Sequence, residues 1–225
     1  MKDFPMFYST EFLMFICSGC GMIIGFIHRN KFPELKYLYI YPLASFSQFI
    51  IANLTLISKI GITIEDSIIN ISLNLFTITE FIIIYIFFKK VLLSKLNKKI
   101  LRFSAIVYFF TGLINWIIIE NSFSPPTYSY IYQSIAILIP VCLYFIELFK
   151  KPIVPDLLNE PSFWVTTGMA FYFACTLPLF LMEDFVYNKA GYIYEMELFS
   201  INFICYGILF LLITKAYLCR KREAP

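Results

Sequence analysis

The chain has 225 residues, of which 60% are hydrophobic, 20% aromatic and only 15% charged, with a formal net charge of +3. Soluble domains carry about 25% charged residues, and disordered chains carry few aromatics, so both classes are excluded. A mean hydropathy of +0.76 leaves an integral membrane protein.

Crossing about 30 Å of hydrocarbon takes about 20 helical residues. Runs of that length, poor in charge, fall at Phe7–Ile27, Leu38–Ser58, Ser67–Phe88, Leu101–Ile119, Tyr128–Phe149, Ser162–Met182 and Glu197–Ala216. They are too continuous for barrel strands, which alternate apolar and polar residues. The expected fold is an all-α integral membrane bundle of seven transmembrane helices in a single domain, 1–225.

The first span begins after one basic residue, Lys2, contains Glu11, and stays apolar past Gly21. That pattern fits an uncleaved anchor better than a signal peptide. Within it Cys17 and Cys20 have the Cys-x-x-Cys spacing. With no second pair and no neighbouring histidine, they read as small packing residues. Gly19, Gly21 and Gly25 form a small-residue stripe that is expected to face lipid and to offer a helix–helix contact, in a homo-oligomer or a larger assembly.

The second span carries Tyr41, Ser45, Gln48 and Thr55 on one stripe. The third carries Asn70, Asn74, Thr77 and Glu80, the fourth Ser104, Tyr108, Thr111 and Asn115, and the seventh Asn202 and Tyr206. Three- and four-residue spacing puts each set on one helix face. Polar groups inside a bilayer face protein or water, so these stripes are expected to point into the bundle. Pro42, Pro140 and Pro178 are expected to interrupt their spans.

Glu80 is singled out. It lies about 4 Å past the centre of its span at 1.5 Å per residue, where an ionised carboxylate is costly. It is expected to be neutral, or hydrogen-bonded to Gln48, Thr111, Tyr108 or Tyr206, as a switch, an ion site or a structural group. After it comes a basic loop, from Lys89 to Lys99, of the kind that lies against anionic lipid.

Orientation follows from the basic residues. Fifteen of the 18 gather on one side, leaving Lys2, Lys59 and Lys189 on the other. The amino terminus is therefore expected outside and the carboxyl terminus in the cytoplasm, with an outer face near −6 and an inner face near +10. In that frame Asn53, Asn70, Asn74, Asn115, Gln133 and Asn202 fall in the outer half and Gln48 at the midplane. An outward-facing polar vestibule, closed toward the cytoplasm, would be lined this way.

Recognisable enzyme chemistry is sparse. His28 is the only histidine, and there is no nucleophile elbow, metalloprotease helix motif or phosphate-binding glycine loop. The seventh span has no central lysine for retinal. The expectation is a non-enzyme with no cofactor and no nucleic-acid partner.

The stretch Asn159-Glu160-Pro161-Ser162-Phe163-Trp164, with Gly168 and Phe171-Tyr172-Phe173 after it, resembles a pattern of small seven-span membrane proteins of Bacteroidota, as does the region around Glu80-Phe81. Those proteins often occur beside sensor histidine kinases. The resemblance implies a place in the bacterial inner membrane and a kinase as partner. On its own, Trp164 after Pro161 reads as an interfacial anchor. The leading functional expectation is a receptor-like signalling protein acting through a partner. The alternatives are a small-solute or proton-coupled transporter of three-plus-one-plus-three plan and a structural subunit of a membrane complex.

Overall fold

The computed structural model describes residues 5–57, 66–115, 127–150, 157–190 and 192–220. Among them the structure is all-α: α1 Pro5–His28, α2 Ile40–Ile57, α3 Asp66–Val91, α4 Lys95–Ile114, α5 Thr127–Lys150, α6 Pro161–Ala190 and α7 Tyr192–Leu218, with one 3-10 turn at Leu157–Asn159. Five helices are long and apolar enough to cross a membrane, through Tyr8–His28, Ile69–Val91, Thr127–Lys150, Pro161–Glu183 and Met196–Leu218. The chain is a helical membrane protein. In α2 the long apolar stretch is only Ile40–Ile51. In α4 the first two turns hold Lys95, Lys98, Lys99 and Arg102.

The packing order shows how the helices close. α1 touches α2 and α7, α2 touches α3, α3 touches α5, α5 touches α6, and α6 touches α7. These six helices form a ring. α4 packs against α3 and α5 only from outside it, with Phe103 and Phe110 still 68% and 66% exposed.

Toward the carboxyl end of α3 and α7 the ring is filled solid. Phe87, Phe88, Leu92, Leu209, Phe210, Ile213 and Tyr217 are all at most 1% exposed. The segment between α1 and α2 completes this plug. Successive turns (Lys31 N to His28 O at 2.9 Å, Leu35 N to Phe32 O at 3.2 Å, Leu38 N to Leu35 O at 2.9 Å) fold it inward. Leu35 and Leu38 are thereby buried, and the Tyr217 hydroxyl donates to Leu35 O at 2.8 Å. Lys90 Nζ donates to Pro33 O at 2.7 Å; this residue of the expected basic loop lies instead in the last turn of α3, α4 begins at Lys95, and the side chain serves to hold this plug.

Glu147 of α5 fixes the next corner. Its carboxylate accepts from Leu93 N at 2.8 Å, Ser94 N at 2.9 Å and Asn97 Nδ2 at 2.6 Å. The α3–α4 junction and the free amides at the start of α4 are thus tied to a third helix.

Two expectations need correction. The Gly19, Gly21 and Gly25 stripe faces protein rather than lipid. A Cβ at Gly21 would sit 3.4 Å from Thr214 Oγ1 and 3.5 Å from Pro42 Cβ, and one at Gly25 only 2.8 Å from Tyr39 Cβ. These glycines let α1 approach α2 and α7. Pro42 does not interrupt a span either: it lies in the first turn of α2, where its missing N–H is not needed. Pro140 and Pro178 do lie inside α5 and α6, and both helices run on through them.

Candidate ligand cavity

Four residues of α7, namely Phe199, Asn202, Phe203 and Tyr206, recur at three, one and three, so one face of the helix carries all of them. They form one wall of a cavity of about 230 Å³ inside the six-helix ring. α1 contributes Glu11 and Met14, α2 Ser45, Gln48 and Phe49, and α3 Leu73 and Phe76. α5 adds Thr127 and Tyr130, and α6 adds Tyr172, Phe180 and Glu183. No residue of α4 lines it. The cavity lies toward the end of the bundle that holds the amino-terminal parts of α1, α3, α5 and α7.

The floor is a hydrogen-bonded cluster around Glu80, itself 1% exposed. The Tyr41 and Tyr206 hydroxyls both donate to Glu80 Oε1, the second at 2.9 Å, and Gln133 Nε2 donates to Oε2 at 2.7 Å. The two tyrosine oxygens are 3.3 Å apart. Four helices, α2, α3, α5 and α7, therefore meet on one carboxyl. Edge contacts of Tyr206 with Tyr172 at 4.3 Å and with Tyr41 at 6.2 Å hold the rings in place. Tyr206 belongs to both parts: it lines the cavity and bonds to Glu80.

At the other end of the cavity are Glu11 and Glu183. Glu11 Oε1 accepts from Asn53 Nδ2 at 3.0 Å, and the same amide donates to Phe49 O at 3.0 Å. Between mouth and floor two amide atoms have no hydrogen-bond partner: Gln48 Nε2 and Asn202 Oδ1. Leaving such a buried group unmatched costs about 1–3 kcal/mol, and a ligand group placed here would recover it.

Of the polar residues singled out from sequence, Tyr41, Ser45, Gln48, Glu80, Gln133, Asn202 and Tyr206 come together at this cavity and its floor. The others do not. Asn74 and Thr77 line a separate, smaller space of about 130 Å³ between α3, α4 and α5, beside Tyr108 and Ser129. Asn74 Nδ2 donates to Asn70 O at 3.0 Å, and Thr77 Oγ1 donates to Asn74 O at 2.8 Å. Thr111 returns its hydroxyl to Val107 O at 2.9 Å, while Asn115 Nδ2 donates to Ser129 Oγ at 2.9 Å. Thr55 is at a position whose side chain lies outside the described residues. Trp164 donates from Nε1 to Leu158 O at 2.8 Å, with Lys215 Nζ 5.9 Å from its ring, near the basic end of the bundle.

Two partners of Glu80 were not expected. Tyr41 is one. Gln133 is the other, and it was assigned a different depth. Gln133 is six residues past the start of α5 and Glu80 fourteen past the start of α3. At 1.5 Å per residue these positions differ by about 12 Å in nominal depth if helix ends are flush. They bond because the two parallel helices are staggered. The aromatic wall was also missed. With aromatic residues making up 20% of the chain, another Phe or Tyr is no signal.

Near the basic end, Glu160 Oε1 accepts from Ser162 Oγ at 2.5 Å at the start of α6. Burial pushes the Glu34 carboxyl above its ordinary range, and the nearby Glu160 adds to this while Lys90 opposes it. Burial likewise raises the Cys219 thiol. Among the described residues no group of three or more His, Cys, Asp or Glu is placed to hold a metal ion.

No family model matches the chain, and no curated protein or solved structure shows a significant match to it.

Proposed function

We propose that this protein is a receptor-like membrane protein that binds a small solute in the central cavity and signals through a partner. The observation that carries this reading is a cavity inside the helix ring whose wall and floor share one residue. Tyr206 lines the cavity, and its hydroxyl bonds to the carboxyl on which four helices converge. A ligand that shifts Tyr206 would alter the contacts of α2, α3 and α5 together. The basic bias supports an outward cavity mouth and cytoplasmic first turns of α4, whose lysines would then be available to a membrane partner such as a sensor kinase. The bacterial inner membrane, and kinship with seven-span Bacteroidota proteins, belong to the same proposal.

One specific observation favours a second reading as transporter. α4 stands outside a ring made of α1–α3 and α5–α7, which matches a plan of two helix triples joined by a linking helix. In that case the solid plug around Phe210 and Tyr217 would have to open during a cycle.

Thiol labelling tests the cavity. In a background with the native cysteines replaced by alanine, Phe199→Cys should react with a membrane-impermeant maleimide added to intact cells. Leu209→Cys, within the plug, should not. Failure of Phe199→Cys to react from either side of the membrane would end this proposal. Uptake by proteoliposomes would favour the carrier over the receptor.

A further inference from the structure

We infer that the cavity takes a small arylalkylamine carrying a ring hydroxyl, a cation of about ten non-hydrogen atoms; this rests on the cavity reading above. Three independent features of the lining specify the parts of such a molecule.

Size comes first. A cavity of about 150 Å³ holds benzene. The 230 Å³ here leaves room for a ring with a short side chain. Shape and polarity come next. Between mouth and floor the walls are largely aromatic, with Phe49, Phe76, Tyr130, Phe180, Phe199 and Phe203. Such faces stack with an aryl body and, by their negative quadrupole, attract a cation.

The polar groups then orient the molecule. Among the described residues the carboxyl groups of the lining are those of Glu11 and Glu183, both toward the mouth, and no lysine, arginine or histidine accompanies them. They select a positive head group and reject a carboxylate. Deeper in, Gln48 Nε2 is an unpartnered donor and Asn202 Oδ1 an unpartnered acceptor. Gln48 lies seven residues along α2 from Tyr41, about 10 Å, and Asn202 one turn along α7 from Tyr206, about 6 Å, so both lie on the mouth side of the Glu80 floor. A phenolic hydroxyl can match either atom, accepting from Gln48 or donating to Asn202. An ammonium could satisfy only Asn202, and an ether only Gln48.

Three probes separate these parts: tyramine, 4-ethylphenol, which lacks only the ammonium, and phenethylamine, which lacks only the hydroxyl. Calorimetric titration of the detergent-purified protein should rank tyramine tightest, with each of the others weaker by about tenfold or more. In the Glu11→Gln/Glu183→Gln variant tyramine should fall to the level of 4-ethylphenol, whose own affinity should not change. In Asn202→Leu it should fall to the level of phenethylamine. Size-exclusion elution checks that each variant is folded. If 4-ethylphenol binds as tightly as tyramine, or if the paired Gln variant loses nothing, the assignment is wrong. The Phe199→Cys label separates this failure from failure of the cavity itself. Labelling that tyramine does not slow overturns the ligand class alone, whereas no labelling from either side overturns the site.

Discussion

Gln133 donates to Glu80 at 2.7 Å from a helix that runs parallel to α3 and starts deeper in the bundle. The bond uses one end of the Gln133 amide and leaves the other, Oε1, buried without a partner. The pair is therefore able to adapt to a change in Glu80. In Glu80→Gln the two tyrosines can still donate to the side-chain oxygen. Rotation of the Gln133 amide then presents Oε1 to the new N–H. Glu80→Gln should accordingly unfold in detergent within a few degrees of the wild type. Glu80→Ala strands three donors and should lose roughly 1–3 kcal/mol. A large loss in Glu80→Gln that Gln133→Glu restores in the double variant would show instead that the carboxyl at this junction is irreplaceable.

Membrane topology can be read directly. Reporter fusions at Asn97 and Pro225 should report the cytoplasm, and one at Lys189 the outside, following the basic bias. A fourth, at Ser122, decides whether α4 crosses, because this helix begins with four basic residues and packs outside the ring. Opposite readings at Asn97 and Ser122 support seven crossings. Matching readings would leave α4 on one side.

How far the sequence led depends on the kind of information. Five helices were legible because each is a long apolar run ended by charges or turn formers; α5, at Thr127–Lys150, differs from the expected span by one residue at each end, whereas α4 begins at Lys95, six residues before the expected Leu101, because its first turns are basic. Polar stripes showed which faces turn inward. They could not show which stripes share a space, since that depends on stagger and on which helix stands outside the ring. Asn74 and Asn202 differ by only about 3 Å in nominal depth, yet α4 encloses the first in a side space and the second faces the central cavity. Glu147 passed unnoticed for a related reason. A glutamate near a basic loop reads as a surface charge until its three donors are seen.

Those donors make Glu147 a local clamp. Glu147→Ala removes acceptors from Leu93 N, Ser94 N and Asn97 Nδ2. Charge-assisted bonds of this kind contribute about 1.5–3 kcal/mol each where they are shielded, and less where water competes. Amide hydrogen exchange at Leu93 and Ser94 should rise by about tenfold or more in Glu147→Ala, with α7 amides unchanged. Unchanged exchange at the two amides would mean that the junction is held by packing alone.

Glu34 gives the molecule a predictable response to pH. Burial, and then Glu160, raise its carboxyl above the ordinary 4.5, with Lys90 opposing. A group whose native value is raised binds its proton more tightly when folded than when unfolded. Its stabilising contribution is complete below the unfolded value and is lost as pH rises through the native one. Melting temperature should therefore fall less between pH 4 and neutrality in Glu34→Gln than in the wild type. A steeper fall in the variant would reverse the sign of this argument.

Two glycines in helices should respond in opposite ways to one added methyl group. At Gly25 a Cβ would lie 2.8 Å from Tyr39 Cβ and 2.9 Å from Tyr217 Cε2, and Tyr217 is fully buried by its bond to Leu35 O. The Tyr39 contact is at its Cβ, which no rotamer change moves away, and the buried Tyr217 ring cannot retreat without disturbing the plug. Gly25→Ala should destabilise by roughly 1–3 kcal/mol, as overpacked cores do. At Gly112 a Cβ would meet nothing within 4 Å. There the substitution removes backbone freedom from the unfolded chain and should stabilise α4 by about 0.5–1 kcal/mol. Thermal unfolding of the two variants in the same detergent measures both. Equal effects would mean that α1 does not approach α2 and α7 as closely as these glycines require.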